Sequence, residues 1–329
     1  MTILYFLFIH FFLNLISTNL GFIFFKKKKK NLATSLLILS LGFCLITIIS
    51  SYSYLVLGLN IKNTLILIFI LNFLILIFNF SEFKSYFKVV LNISFINIPF
   101  IIFFGIIAII YGEQYYSFRG NHWDYLNYVT SSFAISKYEL QYIKENINYL
   151  KTTLPFSHMG WLLHIEIRPS INIFFSLFLK FGIENFYLIF FVLKIYGLFL
   201  ICVSKFILLD KFFERNVSDQ KKIILAYISS LSFWSIYILE IDALSQLFAQ
   251  SLFILCLYCI LDIEKIMMRK NIMKKLYFLI FNLAFFLIYP ELFAIYLLIG
   301  FIYLILAKKL YKLINYKNSD LILFSIIFV

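Results

Sequence analysis

Apolar residues in this chain run unbroken for stretches long enough to cross a bilayer, and they do so repeatedly. A crossing helix needs about 20 predominantly apolar residues. Runs at 3–25, 33–57, 64–80, 89–111, 186–209, 223–239, 245–261, 276–290 and 292–307 approach or meet that length, and a further one begins near 321. Unbroken runs, as opposed to alternation, predict helices and not a membrane β-barrel. The expected fold is therefore all-α: a polytopic integral membrane protein of about nine to ten transmembrane helices with one large extracytoplasmic loop. Composition agrees: 63% of residues are hydrophobic and only 14% charged, where a soluble domain carries about 25% charge. A water-soluble enzyme and a disordered chain are both excluded. The first run lacks a basic segment ahead of it, which predicts a first span and not a cleaved signal. The last run stops at Val329, which predicts a chain that is cut short or ends in a stub.

The formal net charge is +13, from 25 Lys and 4 Arg against 16 acids. In a membrane protein such an excess records orientation more than nucleic-acid binding, because cytoplasmic loops retain Lys and Arg. Lys26 to Lys30 form the strongest cue. Further clusters are Lys84 with Lys88; Lys211, Arg215, Lys221 and Lys222; Lys265, Arg269, Lys270, Lys274 and Lys275; and Lys308, Lys309, Lys312 and Lys317. All fall on one side if the runs alternate and a single span lies between 170 and 210. The opposite side then receives a turn near Asn60, the long segment 112–170, a loop at Glu240 to Asp242, and the turn Tyr289-Pro290-Glu291. This divides the chain into an N-terminal membrane region (1–111), an extracytoplasmic segment (112–170) and a C-terminal membrane region (171–329). Residues 171–182 are apolar but too short to span and predict an interfacial or half-inserted helix. Lys194 falls inside the span that follows, where a lysine needs a partner or a cavity. Cys256 and Cys259 lie in an apolar run and read as small apolar residues, not as a redox or metal pair.

The segment 112–170 holds three of the four His, two of the three Trp and two of the four Arg. A passive connector does not need that mixture, and loops on a rigid scaffold are where binding and catalysis concentrate. Asp124, flanked by His122, Trp123 and Tyr125, is a candidate general base. Its competing role is to cap the helix that the pattern Leu126, Val129, Phe133 predicts. His158 and His164 are six residues apart, which is not the spacing of a helical metal pair. Arg168 precedes Pro169 at an expected helix start and suits bidentate phosphate contact; interfacial snorkelling is its alternative. Glu240 and Asp242 can place a divalent cation or an acceptor, while Asp242 can equally cap a helix starting at Ala243. Gln246 and Gln250 continue from Asp242 as a polar stripe into the next span. Glu291 opens a helix behind Pro290, where the macrodipole favours an acid.

Three of these stretches carry a resemblance. A large outer segment bears an acid, Asp124. The return to the membrane reads Arg168-Pro169, then INIFFSLFLKFG, then a long span. A short second loop reads Glu240-Ile241-Asp242-Ala243-Leu244, just before a helix. Over residues 112–307 the layout resembles the GT-C superfamily of membrane glycosyltransferases, close to the protein mannosyltransferases and the lipid A aminoarabinose transferases. One departure stands out: four spans precede the large segment, where the family usually has one. The resemblance implies transfer of a sugar from a polyprenyl-phosphate-linked donor to an extracytoplasmic acceptor, at the outer face of the cytoplasmic (inner) membrane. It implies Asp124 as base, and Glu240 and Asp242 as positioners of the acceptor or of a divalent cation such as Mg or Mn. Arg168, Arg119 and His164 would face the donor phosphate. Trp123, Trp161, His122, His158 and Glu291 would contact substrate. The implied partners are the lipid-linked donor and membrane lipids, not nucleic acid. Family members differ in metal dependence, so no cofactor is assigned.

Two other functions compete. An O-antigen polymerase or ligase would rely on outer Arg and His. A transporter or lipid flippase would place ionisable residues and broken helices inside the membrane.

Overall fold

In the computed structural model, residues 2–25, 31–111, 123–154, 165–180, 186–213, 217–240, 243–263 and 272–306 are described. Within them every regular element is a helix. Backbone N–H and C=O groups have no water to bond in hydrocarbon, so a helix, which satisfies them internally, is the expected solution.

The N-terminal part is α1 (Thr2–Phe22), α2 (Leu32–Leu55), α3 (Ile61–Phe78) and α4 (Phe83–Tyr111). Asn31 and Asn60 cap α2 and α3, their side chains accepting from the backbone N–H of Thr34 and Asn63, each at 2.9 Å. The turn between these helices uses Gly58 at φ +64°, a conformation that costs glycine little. The described part of the expected outer segment includes α5 (Trp123–Lys137), α6 (Leu140–Glu145) and α7 (Ile147–Thr153). Then come α8 (Pro169–Lys180), α9 (Phe186–Phe213), α10 (Asp219–Ser230), α11 (Phe233–Glu240), α12 (Leu244–Leu261), α13 (Ile272–Ile288) and α14 (Pro290–Leu306).

Among the described residues six helices are long and apolar enough to cross a membrane, namely α1, α2, α3, α4, α9 and α12. Of the other expected spans, α13 and α14 have 17 residues each. The run 223–239 is not one helix: it breaks at Leu231 and Ser232 into α10 and α11. Serines around the break offer the backbone competing hydrogen bonds, and Ser229, Ser230 and Ser232 all use their hydroxyls locally. The run beginning near 321 lies outside the described residues.

Helix α9 is the axis of the bundle: 78% of its apolar window is buried, against 22% for α3 at the periphery. The short α8 is enclosed, not laid on a surface. Ser170 through Phe178 are buried, Ser51 of α2 donates to Ser170 at 2.8 Å, and Phe174 meets Phe43 edge-on. Helix α5 packs against α8, with Ser132 donating to Asn172 at 3.5 Å.

Polar residues join the helices where apolar packing alone gives no specificity. His10 of α1 meets the Asn97 side chain at 3.1 Å and the Val192 carbonyl at 3.2 Å, with the Tyr196 ring edge-on. Asn19 donates to the Asn72 side chain at 3.1 Å. Lys194 is half-buried, its ammonium 5.7 Å from the Phe190 ring. The four cysteines are buried free thiols, in keeping with an apolar packing role.

Charge divides the ends of the bundle. Lys211 pairs with Asp262 at 3.2 Å, Lys274 reaches the same carboxylate, and Lys222 pairs with Asp210 at 2.6 Å. Phe25, which leads into Lys26 to Lys30, stacks on Tyr277 beside Lys274 and Lys275. Phe22 meets Tyr86, between Lys84 and Lys88. Lys84, Lys88, Lys211, Lys222, Lys274 and Lys275 therefore gather at one end; Lys26 to Lys30, Arg215, Lys265, Arg269, Lys270 and Lys308 to Lys317 lie outside the described residues.

Candidate functional site

The opposite end collects the segments that the sequence marks for chemistry. Helix α5 starts at Trp123, which places Asp124 in its first turn. One turn later Tyr128 is fully buried, and its hydroxyl donates to Ser245 Oγ at 2.7 Å and accepts from the Ser245 N–H at 3.0 Å. Ser245 is in the first turn of α12, where backbone donors lack helical partners. The N-cap of α12 is Ala243, which has no capping side chain, so Tyr128 does this work from another helix. The helix begins one residue later than the sequence suggests. Tyr128 thereby ties the turn that carries Asp124 to the segment that follows Glu240 and Asp242. Tyr128→Phe removes both hydrogen bonds and strands a buried N–H. It should destabilise the protein by about 1–3 kcal/mol, read as a lower thermal unfolding midpoint in detergent.

Arg168 comes from a third segment. Its Nη2 donates to Glu291 Oε1 at 3.0 Å and to the Tyr289 hydroxyl at 3.0 Å, and its Nε donates to Glu291 Oε1 at 3.2 Å. The guanidinium also lies over the Tyr289 ring, 4.1 Å from its centroid. Burial opposes the Arg168 charge, but the Glu291 hydrogen bond, with Tyr128, Tyr289 and Glu291 nearby, raises its pKa above the ordinary value. Helix α14 opens at Pro290, one residue before the sequence suggests, and Glu291 falls in its first turn. Gln246 donates to the Tyr289 hydroxyl at 3.1 Å, and Gln250 accepts from Ser235 at 3.2 Å. The glutamine stripe thus lines a cavity of about 600 Å³ between α11, α12 and α14, with Glu291 and Tyr289 in its wall.

Arg168, Glu291, Tyr289, Gln246, Ser245 and Tyr128 accordingly converge from four separate stretches of chain. The backbones of Asp124 and Glu240 are in α5 and α11, but the side chains of Trp123, Asp124 and Glu240 lie outside the description. Arg119, His122, His158, Trp161, His164 and Asp242 lie outside the described residues altogether. Among the described residues no three His, Cys, Asp or Glu gather as a metal site. Sequence reasoning missed Tyr128, Tyr289 as a ring beneath Arg168, and Lys205 in the cavity wall. Only Lys205 carried a readable signal, as a second lysine within an apolar run. Comparison with family models, with curated proteins and with solved structures finds no match.

Proposed function

We propose that this chain is a membrane glycosyltransferase that moves a sugar from a polyprenyl-phosphate-linked donor to an extracytoplasmic acceptor. The observation that carries the reading is the convergence at one end of the bundle. The turn bearing Asp124, the start of α12 behind Glu240 and Asp242, and the Arg168–Glu291 pair stand together beside a cavity walled by apolar helices. In this reading they face outward across the cytoplasmic membrane and the basic end faces the cytoplasm. Nine crossings result, with α10 and α11 together making one.

The reaction balances simply. The Asp124 carboxylate takes the proton of the acceptor hydroxyl. The freed oxygen bonds to the anomeric carbon, and the bond from that carbon to the donor phosphate oxygen breaks. The lipid phosphate leaves with the electron pair and gains negative charge. Arg168 suits that leaving group because Glu291 and Tyr289 occupy only Nε and Nη2. Its Nη1 has no partner among the described residues, so a preorganised donor is available where charge develops.

The test is transfer in proteoliposomes supplied with radiolabelled polyprenyl-phosphate sugars. Arg168→Ala should lower turnover by about a hundredfold, and Arg168→Lys should recover only part of it, since an ammonium cannot reproduce the fork. Glu291→Gln leaves the guanidinium charged and should cost much less. Equal losses in Arg168→Ala and Glu291→Gln would reduce the pair to a structural tie.

A further inference from the structure

The break between α10 and α11 falls beside a lysine that the proposed chemistry does not use. Lys205 donates to the Ser229 carbonyl at the end of α10. It is half-buried, and among the described residues no carboxylate pairs with it. Its level in the bundle follows from neighbouring contacts. Gly197 packs on Leu247, and Lys211 reaches the Tyr258 carbonyl. Lys205 is therefore level with Phe253 and Ile254, about midway along α12, and it shares the cavity wall with them. A lysine at that depth is costly unless something answers its charge. Carbonyls at a helix C-terminus answer part of it.

The cavity supplies the rest of a site. Its deep end holds Lys205, Ser232 and Ser235. Ser232 caps the start of α11, accepting from the Ser235 N–H at 3.5 Å, so the positive end of that helix points to the same place. From there Gln250 and Gln246 lead about 12 Å along α12 to Tyr289 and Glu291. The other wall is apolar and open sideways: Trp234 is 63% exposed, Ile295 53% and Ile299 42%. A polar track with a cation only partly answered at its deep end, flanked by hydrocarbon-like surface, complements an amphiphile with an anionic head. Its volume lies within the ~300–1,000 Å³ of small-molecule sites.

We infer that this cavity binds the net-anionic phosphate monoester head of a membrane phospholipid at Lys205, with the acyl chain against Ile295 and Ile299. The inference goes beyond glycosyl transfer and stands without it, because binding is read in the absence of turnover.

The experiment reconstitutes the full chain in bilayers containing brominated-chain phosphatidic acid or brominated-chain phosphatidylcholine and follows quenching of tryptophan fluorescence, which Trp234 reports from the cavity wall. Phosphatidic acid should be preferred by about tenfold, the worth of one charge-assisted hydrogen bond. The preference should survive Lys205→Arg and vanish in Lys205→Met and in Trp234→Phe. A wild-type protein with no preference overturns the inference even if Lys205→Met does not fold. So does a preference that persists in Lys205→Met, which would leave Lys205 a mere cap on α10, or one that persists in Trp234→Phe, which would move the binding elsewhere. Relief of quenching by inorganic phosphate alone would reassign the site to a free anion and overturn the lipid assignment.

Discussion

If the proposed transfer holds, Asp124→Asn should lower turnover by about 10² to 10⁴-fold, while the protein should insert, fold and bind lipid as before. The size is that of a lost general base. The substitution keeps the shape of the side chain and removes the capacity to accept a proton. Position supports the choice: helix α5, whose first turn carries Asp124, is held to the start of α12 by Tyr128 through two hydrogen bonds. The competing role makes a different prediction. A carboxylate that only complements the N-terminus of α5 contributes about 0.3–1 kcal/mol, and its loss would lower the unfolding midpoint and spare turnover. Radiolabel transfer and thermal unfolding measured on the same preparation separate the two. Turnover within a few-fold of wild type removes Asp124 from the mechanism. Cysteine placed at position 124 in a background without Cys44, Cys202, Cys256 and Cys259 should react with an impermeant reagent from outside only; reaction from the cytoplasmic side alone reverses the orientation.

Much of the scaffold was legible because its determinants are local. Run length predicts α2, α9 and α12, and the turn Tyr289-Pro290-Glu291 predicts the start of α14 to within a residue. Proline at 169 and the shortness of the apolar stretch behind it predict a brief helix, and α8 has 12 residues. What was not legible depends on which face of a helix meets which neighbour. A helix that is apolar all round carries no amphipathic stripe to report its packing face. The His10–Asn97 contact and the centrality of α9 could not be read for that reason; α8 does carry a polar stripe, but Ser170, Asn172 and Ser176 are enclosed and not turned to a surface. The site divides the same way. Arg168 and Glu291 were each visible as unusual residues at a membrane edge, but their pairing spans 123 residues of chain and belongs to the fold. Tyr128 was hidden among 23 tyrosines, where composition dilutes any signal. The break in α10–α11 was masked by hydropathy, since the serines at 229, 230 and 232 sit among residues apolar enough to read as one span.

Gly42→Ala should be more damaging than alanine at Gly58, Gly197 or Gly300, costing about 3 kcal/mol, the upper end of the usual overpacking range. Helices α1 and α2 cross in direct backbone contact. A Cβ on Gly42 would overlap the Ser17 carbonyl oxygen and stand 2.9 Å from the Gly21 nitrogen. A Cβ on Gly21 would overlap the Ile38 carbonyl oxygen and stand 3.1 Å from the Gly42 nitrogen. The obstruction is reciprocal and made of backbone, so no rotamer change relieves it; the helices must separate. Separation forfeits close van der Waals contact, which is the main attraction between helices where lipid removes the hydrophobic drive. Other glycines grade the effect. At Gly197 the new methyl would meet Leu247 Cδ2 at 2.7 Å, and at Gly300 it would meet Ile260 Cδ1 at 2.8 Å. Both are ends of side chains that can turn aside, so these alanines should cost well under half as much. At Gly58 nothing lies within 4 Å, but φ is +64°, and alanine should cost about 1 kcal/mol in backbone strain. Unfolding midpoints of the four variants in one detergent should therefore place Gly42→Ala lowest by a clear margin. A Gly42→Ala protein as stable as Gly300→Ala would show that α1 and α2 do not meet through their backbones. The polar contacts that depend on the placement of α1, from His10 to Asn97 and from Asn19 to Asn72, would then need a different arrangement of the N-terminal helices.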